Sequence, residues 1–240
     1  MMRFFLAFFL LPLVGFSQNP DAIECDRPDQ TETPAIVPKG RFQMENGFSF
    51  EQTRHGEHEI ASPSSLLKWG VNDFFELRLI VEVLSVKSGS ASISGLAPVL
   101  VGFKSKLADE KGWIPKTSFI AHLSLPSAAS RPFKTPYYAP EFRFTMQHTL
   151  SEDWSLGYNL GAEWDGFVPE PTFIYTLTGG FSLTDATGFY AELYGFAPQD
   201  APADHRWDAG FTHRLDNDMM LDISGGTGFS PESPDWYAAL

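Results

Sequence analysis

The chain has little cysteine, little charge and no long apolar run after its first residues. Cys25 is the single cysteine among 240 residues, which excludes a disulfide framework within the chain. Charged residues make up 20% of the sequence, the net charge is −13, and no stripe of lysine and arginine is present. A nucleic-acid partner is therefore not expected, because that binding needs clustered basic side chains to replace counterions.

The N-terminal segment resembles an export signal. Arg3 supplies a positive start, Phe4–Phe16 is strongly apolar, and Gly15 and Ser17 place small residues just before a cleavage point. Residues 1–17 are therefore predicted to be a signal peptide, with an N-terminal membrane anchor as the alternative. No later segment reaches the roughly 20 apolar residues that a membrane-spanning helix needs. The mature chain is then either an exported soluble domain or a β-barrel.

Alternation of apolar and polar residues is the main signal in the rest of the chain. In 41–52, the apolar side chains Phe42, Met44, Phe48 and Phe50 alternate with polar or small ones. Successive side chains of a strand point to opposite faces, so each such segment has one apolar and one polar face. The pattern predicts strands at 41–52, 64–72, 74–84, 95–106, 113–125, 138–150, 153–165, 171–183, 187–198, 204–215, 219–229 and 234–240.

The connections between these strands alternate in length. The longer ones are 53–63, 85–94, 126–137, 166–170, 199–203 and 230–233. Aromatic residues, 15% of the chain, gather near both ends of the strands on the apolar face. These features predict an all-β fold over residues 41–240: an antiparallel transmembrane β-barrel of about 12 strands with short periplasmic turns and longer outer loops. The alternative is a soluble sandwich whose aromatic residues fill the core.

Residues 18–40 differ from the rest because they are rich in proline and acidic residues and have no strand period. We interpret them as a periplasmic leader, and we hypothesise that Arg27 pairs with acidic residues of the lumen while the segment acts as a plug. A disordered periplasmic tail is the alternative. The residues assigned to the leader motif are Asp26, Arg27, Pro28, Asp29, Thr31 and Glu32.

The polar face of the strands would line the lumen of such a barrel. Its predicted lumen-lining charged or titratable residues are Glu45, Glu76, Arg78, Glu82, Lys104, His122, Glu141, Arg143, Glu163, Glu192, Asp208, Arg214 and Asp222. Charges in an enclosed interior must be paired or hydrated. They could form a structural network of ion pairs, or the same network could line a permeation path and select solutes by charge.

Catalytic and metal-binding signals are weak. His148 and His213 fall on the outward face near the short turns, where an interfacial histidine is the ordinary explanation, and no G-x-S-x-G sequence is present. His55 and His58 stand in a loop segment that does not match the H-E-x-x-H zinc pattern. We therefore predict a chain that is not an enzyme, with no catalytic residue, no metal and no cofactor, and a solvated loop around these two histidines.

The residues DRPDQTETP at Asp26–Pro34 and VPKGRFQME at Val37–Glu45 form two motifs in and just after the leader. They resemble the opening of the phenol-degradation meta-pathway family, whose members are outer-membrane transporter-like proteins. Weaker matches follow in the family's order at Trp69–Asp73 with Glu76–Arg78, Gly102–Lys104, Leu183–Asp185 with Glu192 and Gly195, Asp208–Gly210, and Leu221–Gly226. The family usually ends on an aromatic residue, whereas this chain ends at Trp236–Leu240, which leaves the completeness of the last strand open.

The resemblance implies a channel or transporter for small solutes, with hydrophobic or aromatic compounds as the suggested class. It places the chain in the outer membrane of a Gram-negative bacterium, exported through its signal peptide. The expected partners are outer-membrane lipid, the barrel-insertion machinery and a small-molecule solute. Two alternatives stay open: a non-conducting structural or surface barrel, and a lipid-modifying outer-membrane enzyme.

Overall fold

The computed structural model describes residues 22–53 and 56–240, so the predicted signal peptide and His55 lie outside the described residues. The strands are β1 (Phe42–Gln52), β2 (His58–Asn72), β3 (Phe75–Ser88), β4 (Ala91–Leu96), β5 (Val99–Ala108), β6 (Lys116–Leu125), β7 (Ala139–Thr149), β8 (Trp154–Glu163), β9 (Thr172–Ser182), β10 (Thr187–Pro198), β11 (Asp204–Arg214), β12 (Met220–Gly228) and β13 (Trp236–Ala239). Two short 3-10 turns, Pro126–Ala128 and Arg131–Phe133, lie between β6 and β7. Within the described ranges, no helix is long and apolar enough to cross a bilayer.

The sheet closes on itself. Every strand of the ring is antiparallel to its neighbours, β1 pairs with β13 at Glu51↔Tyr237, and β1 also pairs with β2 at Met44↔Leu67. Strand β4 pairs with β3 at Val83–Ser88, on the same edge that β5 pairs with at Phe75–Ile80, so β4 and β5 together fill one place in a closed ring of twelve strands. The predicted all-β, twelve-stranded antiparallel barrel is confirmed.

The first two outer hairpins are longer than the sequence predicts. Segments 53–63 and 85–94 were expected to be loops, but β2 begins at His58, β3 runs to Ser88, and β4 adds a further paired strand. Pro63 cannot donate a backbone hydrogen bond and lies at an irregularity in the β2–β3 pairing, so the ladder continues past it. His58 therefore pairs with Gln52 in a strand, and its assignment to a solvated loop was wrong.

The apolar face of the strands forms the outside of the barrel, and the polar face lines its interior. Apolar side chains of the strands face outward and stay exposed, with Phe42 at 65%, Trp154 at 53% and Leu193 at 52%. Inward-facing Glu76 and Lys104 are fully buried at 0%. This arrangement inverts that of a soluble domain, in which large apolar side chains are inside. The aromatic residues therefore do not form the shared core of two stacked sheets, and the sandwich alternative is wrong.

The leader enters the barrel from the end that carries the short turns. Near its start, the Ile23 amide donates to the Asn217 carbonyl in the turn between β11 and β12, at 2.8 Å. At its end, the Gly40 amide donates to the Gly70 carbonyl at 2.7 Å, and the Gly70 amide donates to the Arg41 carbonyl at 3.0 Å. Gly40 has φ +76°, a left-handed conformation that favours glycine, and it turns the chain into β1.

Candidate functional site

Three cations of the barrel wall converge on one carboxylate of the leader. The Asp26 carboxylate lies 2.9 Å from Lys68 Nζ, 3.1 Å from Arg78 Nη1 and 2.7 Å from Lys104 Nζ. These cations belong to β2, β3 and β5, which are consecutive in the ring, and Lys68 is the direct cross-strand partner of Arg78. We call Lys68, Arg78 and Lys104 the basic wall.

The basic wall holds Asp26 in its charged form. Its three cations are almost completely buried, with relative exposures of 2% for Lys68, 3% for Arg78 and 0% for Lys104. Burial by itself raises the pKa of Asp26, but the three cations outweigh it and hold that pKa well below its usual range. Removing one partner from such a buried group leaves uncompensated charge, which makes the contact energetically important.

Two carboxylates of the wall bind the backbone of the leader. Glu45 accepts hydrogen bonds from the Asp26 and Arg27 amides, both at 3.0 Å, and its other oxygen lies 2.5 Å from Lys68 Nζ. Glu76 accepts from the Val37 amide at 2.7 Å. Backbone N–H groups buried in the lumen are thereby satisfied by charged acceptors, which form stronger hydrogen bonds than neutral ones.

Glu32 fixes the middle of the leader. Its carboxylate lies 2.6 Å from Arg78 Nη2. Its backbone amide donates to Asn159 Oδ1 at 2.7 Å, and Asn159 Nδ2 donates back to the Glu32 carbonyl at 3.1 Å. The neighbouring Thr33 carbonyl accepts from Lys104 Nζ at 2.8 Å. The leader is therefore held on several strands at once.

Carboxylates occupy the opposite side of the lumen, on β10, β11 and β12. We call Glu192, Asp208 and Asp222 the acidic wall. Glu192 and Asp208 are direct cross-strand partners. Glu192 accepts from the Gln30 amide at 2.8 Å and from the Thr31 hydroxyl. On this wall the leader is held mainly by hydrogen bonds from neutral groups.

Arg27 and Asp29 of the leader meet the acidic wall in opposite ways. Arg27 Nη2 lies 3.0 Å from Asp222 Oδ1, which is the kind of pairing expected for this arginine. The carboxyl group of Asp29 instead lies near the carboxylates of Glu192 and Asp208. Burial and the nearby charges of Glu192 and Asp208 raise the pKa of Asp29 well above its usual range. This contact therefore favours a protonated Asp29.

Glycines of the wall make room for the leader. A Cβ added at Gly47 would overlap the Arg27 guanidinium, and one added at Gly70 would overlap the Val37 and Pro38 carbonyl oxygens. The inner surface of the barrel is therefore shaped to the leader at these positions as well as complementary to it in charge.

The remaining predicted lumen residues lie at different depths. Arg78 Nε donates to His122 Nε2 at 3.2 Å, and Arg143 Nε donates to Glu141 Oε1 at 2.8 Å. Arg143 Nη1 also donates to the Gln30 carbonyl of the leader at 3.3 Å. The structure places Glu82 and Glu163 towards the long-loop end of their strands, where both are half-buried.

Arg214 lies away from the leader contacts. Its guanidinium donates to the Asp185 carbonyl in the short turn between β9 and β10. Lys68 and Asn159 are the opposite case, since both are central to the leader contacts and were missed in the sequence. Lys68 stands between Leu67 and Trp69, so the same alternation that placed Arg78 on the polar face would have identified it.

A cavity lies at each end of the barrel. One of about 400 Å³ opens at the short-turn end and is lined by residues that include Asp29, Thr33, Gln147 and Tyr190. The other, about 490 Å³, lies at the long-loop end and is lined by residues that include Glu163, Phe196, Asp204 and Arg206. No cluster of potential metal ligands occurs among the residues that the structure describes.

Comparison with known proteins gives a family for this chain. A family model described as "Putative MetA-pathway of phenol degradation" matches residues 25–240, which include most of the leader and the whole barrel. The chain belongs to this family. The resemblance seen in the leader motif is thereby confirmed for the chain as a whole.

The fold of this MetA-pathway family member is shared with a solved outer-membrane protein. The structure is similar to that of an outer membrane channel from Pseudomonas putida F1, with a TM-score of 0.66 and 11% sequence identity. The similarity covers 89% of this chain and 97% of the channel. None of the curated proteins matches the chain.

Proposed function

We propose that the protein is an outer-membrane channel for small solutes in a Gram-negative bacterium, and that its leader closes the lumen. The observation that carries the proposal is the docking of Asp26 on the basic wall, inside a closed barrel with an apolar exterior. The leader is held there by buried ion pairs that a disordered tail would not form.

The two surfaces of the barrel support the membrane assignment. The exterior presents exposed apolar and aromatic side chains, with Trp154 and Phe181 in contact near the short-turn end and Trp236 and Phe50 stacked at the other. Aromatic residues at both ends of spanning strands suit the two interfaces of a bilayer. The charged interior suits a water-filled passage once the leader has moved.

The comparisons with known proteins also bear on the identity of the solute. The family description names phenol degradation, and the similar structure is titled as an outer membrane channel. Small solutes that include aromatic compounds fit both descriptions. A non-conducting surface barrel is the competing function, and the same measurement separates the two.

The test is the conductance of the reconstituted protein in planar lipid bilayers. Deleting residues 21–38 should raise single-channel conductance, because the segment that fills the lumen is gone. A full-length chain with Asp26→Ala and Glu32→Ala should open more often than the wild type while keeping the same chain length. Strand content measured by circular dichroism checks that each variant is folded. Folded variants whose currents equal those of the wild type would defeat the plug.

A further inference from the structure

We propose that the basic wall is also a binding site, which we call the seat, for a solute with one carboxylate and an apolar body. The carboxylate of the solute takes the place of the Asp26 carboxylate when the leader moves. This inference rests on the proposed function, because the solute must enter the lumen. The chemical class is therefore an amphiphilic monocarboxylate, for which benzoate is a suitable probe.

The seat already holds a carboxylate. Lys68, Arg78 and Lys104 place their nitrogen atoms 2.7–3.1 Å from the two Asp26 oxygens, so the geometry for a carboxylate is formed on rigid strands. A free carboxylate has the same two oxygens as the aspartate side chain. It could make the same contacts without changing the wall.

Departure of the leader would leave the seat with unbalanced positive charge. Lys68 keeps Glu45 as a partner, and Arg78 keeps Glu76. Lys104 Nζ has Asp26, Glu32 and the Thr33 carbonyl as its hydrogen-bond and ion-pair partners within the described residues, and all three belong to the leader. An unpaired cation in the lumen favours the binding of an anion in place of Asp26.

An apolar patch of three residues faces the lumen beside the seat. Leu66, Ile80 and Leu100 are cross-strand neighbours on β2, β3 and β5, and all three are half-buried. Leu66 and Ile80 are each two residues from a cation of the basic wall, Lys68 and Arg78 respectively. They therefore face inward about 7 Å closer to the long-loop end. A solute entering from that end would lie with its apolar part on these residues and its carboxylate on the seat.

The acidic wall, on the opposite side of the lumen, determines how the solute is oriented and how many negative charges it can carry. Glu192 and Asp208 face the lumen from β10 and β11, six positions around the twelve-stranded ring from β3 and β5. These carboxylates disfavour a second negative charge on the solute. One carboxylate directed at the basic wall is the arrangement that both walls accept.

Cys25 provides a natural reporter of leader movement. It is the only cysteine in the chain and directly precedes Asp26. In the docked leader, burial and the neighbouring Glu45 carboxylate raise the pKa of the Cys25 thiol to about 12. An unperturbed thiol has a pKa of about 8.5, so release should increase the reactive thiolate by roughly a thousandfold near pH 8. The rate of maleimide labelling therefore measures how often the leader undocks.

The experiment measures Cys25 labelling of the full chain in detergent micelles with added benzoate, benzamide or acetate at equal ionic strength. Benzamide has the ring without the charge, and acetate has the charge without the ring. Benzoate should raise the labelling rate in a saturable manner to at least threefold above either control. Lys104→Gln should abolish that difference. A benzoate effect no greater than that of benzamide, or no greater than that of acetate, would overturn the seat.

A second variant and a second measurement complete the test. If Lys104→Gln fails to fold, Leu100→Ser removes an apolar contact instead and should reduce the benzoate effect to the level of acetate. Bilayer conductance distinguishes the two proposals. A leader deletion without effect on current defeats the plug, whereas equal labelling by benzoate and benzamide, in a chain whose leader does control current, defeats the seat alone.

Discussion

The two walls of the lumen bind the same leader by different chemistry. On the basic wall, cations with 3% exposure or less surround the Asp26 carboxylate. On the acidic wall, Glu192 accepts hydrogen bonds from the Gln30 amide and the Thr31 hydroxyl, while Asp29 lies near like charges. The first contact is strong and insensitive to pH near neutrality. The second combines the Arg27–Asp222 ion pair with an Asp29 contact that depends on protonation, so only this side of the leader should respond to pH.

Breaking the basic-wall contact should have the largest effect. Asp26→Asn leaves three buried cations without their shared carboxylate, at a cost of about 3–5 kcal/mol in docking free energy. That cost corresponds to a roughly hundredfold or greater increase in the released leader. The measurement is the rate of Cys25 labelling at pH 8.

The matched control for this variant is Asp218→Asn. Asp218 forms an ion pair with Arg41 at 3.1 Å but is largely exposed, so its loss should change the labelling rate by less than about threefold. Equal rates for the two variants would show that burial of the Asp26 contacts contributes nothing to docking.

Crowding the end of the leader that precedes β1 should have an intermediate effect on docking. A methyl group in Gly70→Ala would meet the Val37 and Pro38 carbonyls, which belong to the backbone and cannot rotate away. Overpacking of this kind costs about 1–3 kcal/mol. Cys25 labelling should become about ten- to a hundredfold faster, whereas Gly179→Ala, with open space around the new atom, should label like the wild type. A Gly70→Ala rate no faster than that of Gly179→Ala would contradict this packing.

Changing the acidic-wall contact should have the smallest effect and the opposite sign. Because the pKa of Asp29 is raised on docking, protonation favours the docked state, and that advantage is lost as the pH rises through the docked pKa. Asp29→Asn removes the repulsion, worth up to about 1 kcal/mol, so the variant should label a few times more slowly than the wild type at pH 8.5.

The ratio of wild-type to Asp29→Asn labelling rates cancels the titration of the thiol itself. It should fall towards one as the pH is lowered from 8.5 to 5.5, because protonation of Asp29 removes its charge in the docked wild type. A ratio that is constant over this pH range would show that the charge of Asp29 is not repelled by Glu192 and Asp208.

The alternation in the sequence was sufficient to predict which residues face inward, but not how deep they lie. Glu76, Arg78 and Lys104, which the period of two places on the polar face, are buried inside the barrel. Arg214 obeys the same rule, yet it contacts a turn at the barrel rim. Depth depends on strand register, which the period alone does not give.

The contacts of the leader could not be derived from any local pattern. Asp26 and Lys68 are separated by 42 residues, and the leader has no period from which a register with the wall could be read. The loop prediction for 85–94 failed for a related reason. Its serines and glycine are typical of a loop, but β3 continues past the residues that pair with β5, and β4 pairs with the edge of β3 that is left open there.

The left-handed turn at Gly40 gives the closure a direction. The leader is joined to β1 at the rim that carries the short turns, and it lies inside the barrel from that rim inwards. Under the proposed function it would withdraw through the same rim, as a flap hinged at Gly40 on the periplasmic side of the membrane. A solute that enters from outside the cell would push the flap in its opening direction. A molecule that enters from the periplasm would push the flap back into the barrel.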